Sequence, residues 1–137
     1  MSLRPKILIV DDEERFRITL AKLLAVREMD VRHVGGGREA LEELKNSAYD
    51  VILLDVKMPE MNGIETLTEI KKLSPFVEVI ILTGHASVDV AVEIMRLGGY
   101  EYLLKPCPID ELELKISTAF DRKLDRESRI KKAETSK

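Results

Sequence analysis

Five polar residues stand where short apolar runs of this chain end, and their side-chain types together suit phosphate chemistry. Asp11 and Asp12 follow the first run, Asp55 follows the third, and Thr83 and Lys105 follow the fourth and fifth. Apolar runs this short are typical of strands in a sheet covered on both faces. The carboxyl ends of parallel strands share one edge, where such sheets bind their ligands. We therefore expect these five side chains to converge on one site.

Taken singly, each of these residues has an ordinary structural explanation. An acid pair after a strand often caps a helix, and a Thr before Gly is common in turns. A cluster differs, because crowded carboxylates raise one another's pKa unless a cation lies among them. Carboxylate oxygens without His or Cys suit Mg²⁺ better than zinc. Mg²⁺, the Asp55 carboxylate as nucleophile, the Thr83 hydroxyl and the Lys105 ammonium together predict phosphoryl transfer to Asp55.

The elements that must position these residues alternate between strand and helix. Helical apolar spacing follows each of the five strand-like runs, and Asn62 and Ser87 are suited to cap the third and fourth helices. Such alternation predicts an α/β fold, a parallel sheet with helices on both faces. We expect the strands at 6–10, 30–34, 51–54, 77–82 and 100–104.

Composition limits the classes of protein that the chain can represent. It has 137 residues, of which 45% are hydrophobic and 34% charged, with one cysteine and a formal net charge of −3. This composition is typical of one folded domain without disulfides. The net charge gives no basic surface for nucleic acid, and no apolar run is long enough for a membrane span. We expect a soluble, cytoplasmic protein with no direct contact to nucleic acid or membrane.

The same motifs resemble the receiver domain of two-component response regulators. They are Asp11-Asp12, the stretch from Leu53 to Gly63 around Asp55, Thr83-Gly84 and Lys105-Pro106. The resemblance covers about residues 5–122 and is greatest to receivers of the nitrogen-regulator type. It implies a doubly wound, flavodoxin-like receiver fold with the strand order 2-1-3-4-5.

The resemblance also implies a role for each residue of the site. Asp55 matches the acceptor of a phosphoryl group from a sensor histidine kinase or a histidine phosphotransfer protein. Asp12 matches a direct Mg²⁺ ligand, Asp11 a ligand acting largely through water, and the Lys57 backbone carbonyl a further ligand. The only chemistry implied is Mg²⁺-dependent self-phosphorylation and autodephosphorylation, so we do not expect a classical enzyme.

Other implied roles concern the switch that follows phosphorylation. Thr83 and Lys105 match the residues that bind phosphoryl oxygens, and Lys105-Pro106 matches a cis peptide bond. Tyr102 matches an aromatic residue that turns inward when the Thr83 hydroxyl moves toward the phosphate. Lys57 and His85 match positions that flank the attacking water, and we hypothesise that the long Lys57 side chain alters the phosphate lifetime.

Two further regions carry predictions of their own. Seven of the ten residues from Val88 to Leu97 are apolar, more than a half-buried helix needs. We expect an exposed patch there, next to the fifth strand and helix, for a partner or for a homodimer. We place the receiver domain at residues 1–122, and residues 123–137 as a charged helical extension. This extension is either a solvated helix end or a linker within a longer regulator.

The same residues leave three other classes of protein as alternatives. A phosphatase of the haloacid-dehalogenase type needs a second Asp two residues after the nucleophile, where this chain has Lys57. A flavodoxin-like electron carrier needs a Ser/Thr/Gly-rich phosphate loop after the first strand, where this chain has four acidic residues. A degenerate receiver that serves only as an interaction scaffold remains the alternative.

Overall fold

The structure is a computed structural model, and it describes residues 4–58 and 61–135. Pro59 and Glu60 of the motif around Asp55 lie outside the described residues. So do residues 1–3 of the predicted receiver domain and residues 136–137 of the predicted extension.

Within the described residues, five parallel strands form one sheet in the order β2-β1-β3-β4-β5. The strands are β1 (Lys6–Val10), β2 (Asp30–Val34), β3 (Val51–Leu54), β4 (Glu78–Thr83) and β5 (Glu101–Leu104). The predicted fold class and strand order are therefore confirmed.

In the part of the chain that the structure describes, five helices cover both faces of the sheet, as a doubly wound fold requires. They are α1 (Glu14–Val26), α2 (Gly37–Asn46), α3 (Gly63–Leu73), α4 (Val88–Arg96) and α5 (Ile109–Thr135). Alternate strand residues divide between two apolar clusters, because successive side chains of a strand point to opposite faces. Ile9 packs on the α1 and α5 side, whereas Leu8 packs on the side of α2, α3 and α4.

The boundaries of two strands differ by one residue from the sequence prediction. Val77 lies in the turn before β4, where its N–H donates to the Ser74 carbonyl at 3.2 Å, and Thr83 is the last residue of β4. Strand β5 begins at Glu101 instead of Tyr100. Asn62 and Ser87 cap α3 and α4 as predicted, each side chain accepting a backbone N–H from the first turn.

Helix α5 runs without a break past residue 122 to Thr135. Two residues of α5 after residue 122 form ion pairs with the sheet side of the molecule: Lys123 binds Asp50, and Arg126 binds Glu78. The division at residue 122 stays a prediction, and α5 crosses it as one helix. Within the part of the chain that the structure describes, no helix is long and apolar enough to cross a membrane.

Candidate functional site at the carboxyl edge of the sheet

The register of the sheet brings the ends of the strands together. Val10 pairs with Leu54, so Asp11 and Asp55 begin neighbouring loops. The Asp55 N–H donates to the Val10 carbonyl at 3.0 Å. On the other side, the Lys105 N–H donates to the Thr83 carbonyl at 2.8 Å. The five residues predicted from the strand ends thus lie along one edge.

Both oxygens of the Asp55 carboxylate are held by donors. Oδ1 accepts the Thr83 hydroxyl at 2.8 Å and the Lys57 N–H at 3.0 Å, and Oδ2 accepts Lys105 Nζ at 3.3 Å. Asp55 is 6% exposed and Thr83 is 1% exposed. Since each donor constrains the carboxylate, Asp55 is fixed in one orientation.

Lys105 is the cation among the carboxylates. Its Nζ lies 2.7 Å from Asp11 Oδ2 and 3.3 Å from a carboxylate oxygen of both Glu13 and Asp55. It also lies 4.0 Å from the centroid of the Phe16 ring. Burial alone lowers the pKa of Lys105, but the hydrogen bond to Asp11 and the charges of Asp11 and Asp55 outweigh it. The pKa of Lys105 therefore lies above its ordinary value, and the side chain is a cation.

The acid pair after β1 has one buried and one exposed member. Asp11 is buried, and its Oδ1 accepts the Glu13 N–H at 2.9 Å. Burial raises the pKa of Asp11 above its ordinary value, although the hydrogen bonds from Lys105 and Glu13 oppose that shift. Asp12 is exposed, and it offers its carboxylate to solvent.

The three aspartates form a donor set that fits a hard divalent cation. Asp11, Asp12 and Asp55 each offer one carboxylate oxygen, and these atoms lie within 4.8 Å of one another. Oxygen donors of this kind are the ligands that Mg²⁺ prefers, and one or two carboxylates usually suffice beside its waters. A cation here would also relieve the cost of three carboxylates lying so close together.

An open depression of about 400 Å³ gives access to Asp55 from solvent. Lys57 and His85, the two residues predicted to flank an attacking water, both line it. Its remaining lining residues lie at the end of β4 or in the loops after β1, β3 and β4, namely Asp12, Glu13, Asp55, Thr83 and Gly84.

Hydrogen bonds lead from Asp55 to the surface of β5. The Thr83 hydroxyl donates to Asp55, and the His85 N–H donates to the same hydroxyl oxygen at 3.3 Å. The Tyr102 hydroxyl donates to the His85 carbonyl. Tyr102 is thus connected to the carboxylate through Thr83 and the backbone of His85. The peptide bond between Lys105 and Pro106 is cis.

Two residues of this site received no role from the sequence. Glu13 is the third of four consecutive acids, and its proximity to the pair Asp11-Asp12 was the available signal. Phe16 was assigned only to the apolar face of the first helix, because its contact with Lys105 joins residues 89 positions apart along the chain.

Comparison with known proteins identifies the family. The model of the response regulator receiver domain matches residues 7–117. The chain belongs to the response regulator receiver family. Receiver domains are signalling domains of two-component systems that interact with histidine kinases, and they bind Mg²⁺ at an acidic pocket. Membership leaves no support for the dehalogenase and electron-carrier alternatives, and none for a degenerate receiver.

The relatives of this receiver are regulators of transcription, among others. The transcriptional regulatory protein ZraR of Klebsiella oxytoca is 42% identical over 113 residues, which cover 82% of this chain and 26% of ZraR. This chain therefore spans about a quarter of the length of that curated relative.

Two solved structures show the same fold. A CheY-like receiver domain protein from Methanospirillum hungatei JF-1 is 30% identical with a TM-score of 0.87, covering 91% of this chain and 99% of that one. NtrX from Brucella abortus, solved in complex with ATP, is 31% identical with a TM-score of 0.85, covering 93% of this chain and 29% of NtrX. The resemblance to nitrogen-regulator-type receivers is thereby confirmed.

Proposed function

We propose that Asp55 accepts a phosphoryl group from the phosphohistidine of a sensor histidine kinase or a histidine phosphotransfer protein. The observation that carries this proposal is the surroundings of Asp55. Its carboxylate is held by Thr83, Lys57 and Lys105 at 2.8–3.3 Å, and it lines an open depression. An oriented carboxylate beside a cation is suited to attack phosphorus in line with the leaving group.

In this transfer, an Asp55 oxygen forms a bond to phosphorus while the bond from phosphorus to the histidine nitrogen breaks. The imidazole leaves with the electron pair of that bond. Asp11, Asp12, Asp55 and the Lys57 carbonyl would hold Mg²⁺, which supplies positive charge to the transferring group when bound. The chain's own contribution is the orientation of Asp55 and the ammonium of Lys105, which offsets the charge that develops on the phosphoryl oxygens.

Phosphorylation would then act as a switch through the path to Tyr102. An aspartyl phosphate adds roughly −1.5 to −2 charges to the site. The Thr83 hydroxyl is a donor for a phosphoryl oxygen, and Tyr102 is connected to it through His85. A shift of the Thr83 hydroxyl would therefore disturb His85, whose carbonyl accepts the Tyr102 hydroxyl. Movement of Tyr102 would carry the change to the face formed by α4, β5 and α5.

The output of this switch would be control of a partner or of an effector domain. Because ZraR is a transcriptional regulatory protein, we infer that this receiver serves a regulator of that kind. Residues 1–122 would be the receiver, and 123–137 a helical extension that leads toward such a domain. Any contact with DNA would come from the effector, since the net charge of this chain is −3.

Intact-mass measurement tests the proposal. The protein is incubated with acetyl phosphate and Mg²⁺, and we expect a mass gain of one phosphoryl group. The gain disappears in Asp55→Asn and when the divalent cation is removed with EDTA. No gain, under conditions that label another receiver, would instead support the scaffold alternative.

A further inference from the structure

The Phe16 ring lies against the ammonium of Lys105. Phe16 is in the first turn of α1, and the ring centroid lies 4.0 Å from Lys105 Nζ. The Lys105 side chain is only 14% exposed, and its Nζ is also close to the carboxylates of Asp11, Asp55 and Glu13. The ring thus takes part in enclosing a cation that the phosphoryl group must bind.

We propose that Phe16 is a positioning residue for phosphoryl transfer, its ring face holding the Lys105 ammonium within reach of Asp55. The inference rests on the proposed function of Asp55, since Lys105 acts on the group that Asp55 receives. The negative face of an aromatic ring attracts a cation within about 6 Å, and more strongly when water is excluded.

Unlike a carboxylate at the same place, the Phe16 ring can hold the Lys105 ammonium and still let it move. Lys105 Nζ is nearer to Asp11, at 2.7 Å, than to Asp55, at 3.3 Å. When Asp55 gains negative charge, the ammonium is drawn from Asp11 toward the phosphoryl oxygens. A ring face imposes no single hydrogen-bond direction, so the ammonium can make this shift and keep its contact with Phe16.

The competing explanation is that Phe16 only fills space. Its ring is partly buried and packs against the apolar cluster between the sheet, α1 and α5. It also lines an apolar cavity of about 120 Å³ together with Leu20, Leu23 and Cys107. A leucine at this position retains the apolar packing and removes the aromatic face, which separates the two explanations.

The kinetic test compares the initial rate of labelling by acetyl phosphate and Mg²⁺ among variants. We expect Phe16→Leu to label about threefold to tenfold more slowly, within the range of cation–π contacts at partly buried sites. Phe16→Tyr keeps the ring, and it should label close to the wild-type rate. Phe120→Leu is the matched control, because Phe120 packs in the same cluster from α5. It should keep the wild-type rate, whatever its effect on thermal stability.

An NMR measurement tests the contact without phosphorylation. Protons above an aromatic ring resonate upfield, so the ε-methylene protons of Lys105 should be shifted upfield in the wild type. The shift should remain in Phe16→Tyr and Phe120→Leu and vanish in Phe16→Leu. Because it is first read on the wild type, the result does not depend on any variant folding.

The outcomes separate this inference from the proposed function. An unshifted Lys105 signal in the wild type, or equal labelling rates for Phe16→Leu and the wild type, would overturn the role of Phe16. Equal slowing by Phe16→Tyr and Phe16→Leu would also overturn it, since the ring would then not be what matters. A wild type that does not label at all would contradict the proposed function, and the NMR signal would still decide whether Phe16 holds Lys105.

Discussion

At the scale of single residues, the site is a balance of charge around one carboxylate. Asp55 and Asp11 share the ammonium of Lys105, and that sharing keeps the pKa of Lys105 above its ordinary value despite burial. In the proposed transfer, an incoming phosphoryl group would compete with Asp11 for the same cation. A phosphoryl group on Asp55 would face the open depression, so residues at its rim should affect how long the group lasts.

Lys57 is the residue at the rim for which we make a prediction. Its backbone N–H holds Asp55, and its side chain is exposed beside the depression. A shorter Asn would open the path of an attacking water and remove a cation from the phosphoryl group. We expect Lys57→Asn to dephosphorylate faster by a few-fold, on the order expected for an exposed charge contact.

The measurement is the decay of the phosphorylated protein after acetyl phosphate is removed, followed by intact mass. Lys72→Asn is the control, because Lys72 is an exposed lysine of α3 paired with Glu69. Identical decay in the wild type and Lys57→Asn would show that the Lys57 side chain does not influence hydrolysis.

The residues at strand ends could be predicted from the sequence, whereas those that contact them through side chains could not. Asp55 and Thr83 follow or end apolar runs, and parallel pairing alone brings such positions to one edge. The contact of Phe16 with Lys105 depends on the path of a long side chain after folding. No periodicity or spacing in the sequence encodes that path.

At the scale of elements, ion pairs join α5 to the amino-terminal ends of β3 and β4, at the edge of the sheet away from Asp55. Lys123 Nζ lies 2.8 Å from Asp50 Oδ1, and Arg126 Nη1 lies 2.7 Å from Glu78 Oε1. The Glu78 side chain is 3% exposed. Lys123 and Arg126 lie beyond residue 117, where the family match ends, and their partners Asp50 and Glu78 lie within it. The helix is therefore held to the receiver over a longer stretch than the family model covers.

Replacing Arg126 tests whether this attachment stabilises the fold. Arg126→Ala leaves the Glu78 carboxylate buried without that partner, which is costly in a nearly dry site. Because Arg126 itself is 38% exposed, solvent screening reduces the effect. We expect the free energy of unfolding to fall by about 1 to 3 kcal/mol.

Urea denaturation followed by circular dichroism measures the loss, with Arg129→Ala as the control. Arg129 lies almost one turn later and binds Asp125, both side chains being more than half exposed. Its removal should change stability by less than about 0.5 kcal/mol. Equal effects of the two substitutions would mean that the Glu78 pair contributes nothing of its own.

The type of every element could be predicted, but the extent of α5 could not. The apolar period that predicts this helix lapses after Leu124, so the sequence left a solvated end and a linker helix equally open. Around this point the helix pairs with Asp50 and Glu78, which lie 73 and 48 positions from Lys123 and Arg126 along the chain. Long-range ion pairs of this kind leave no local pattern in a sequence.

At the scale of the whole molecule, the face of α4, β5 and α5 is the candidate surface for output. Four of its apolar residues are 47–80% exposed, namely Val88, Val92, Met95 and Leu104. Ile94 is fully buried under them, so α4 has an inner apolar stripe and an outer one. The outer stripe leads to the prediction of an interface between two copies that strengthens on phosphorylation.

A charge placed on this stripe tests the interface. We expect the protein labelled by acetyl phosphate to dimerise, and Val88→Asp to weaken dimerisation by at least about tenfold, because an unpaired charge in an interface is costly. Val26→Asp is the matched control, since Val26 and Val88 are each 80% exposed and Val26 lies at the end of α1. Light scattering measures the dimerisation of both variants. Equal dimerisation of Val88→Asp and Val26→Asp would exclude this face.

The claim that Asp55 is the phosphoryl acceptor is tested most directly by locating the modified residue. Borohydride converts an aspartyl phosphate to homoserine, so the protein labelled with acetyl phosphate and Mg²⁺ is reduced, digested and mapped by mass spectrometry. We predict homoserine at position 55 and unchanged aspartate at positions 11 and 12. Homoserine at position 11 or 12, or none at position 55 in a protein that gains the phosphoryl mass, would contradict the role assigned to Asp55.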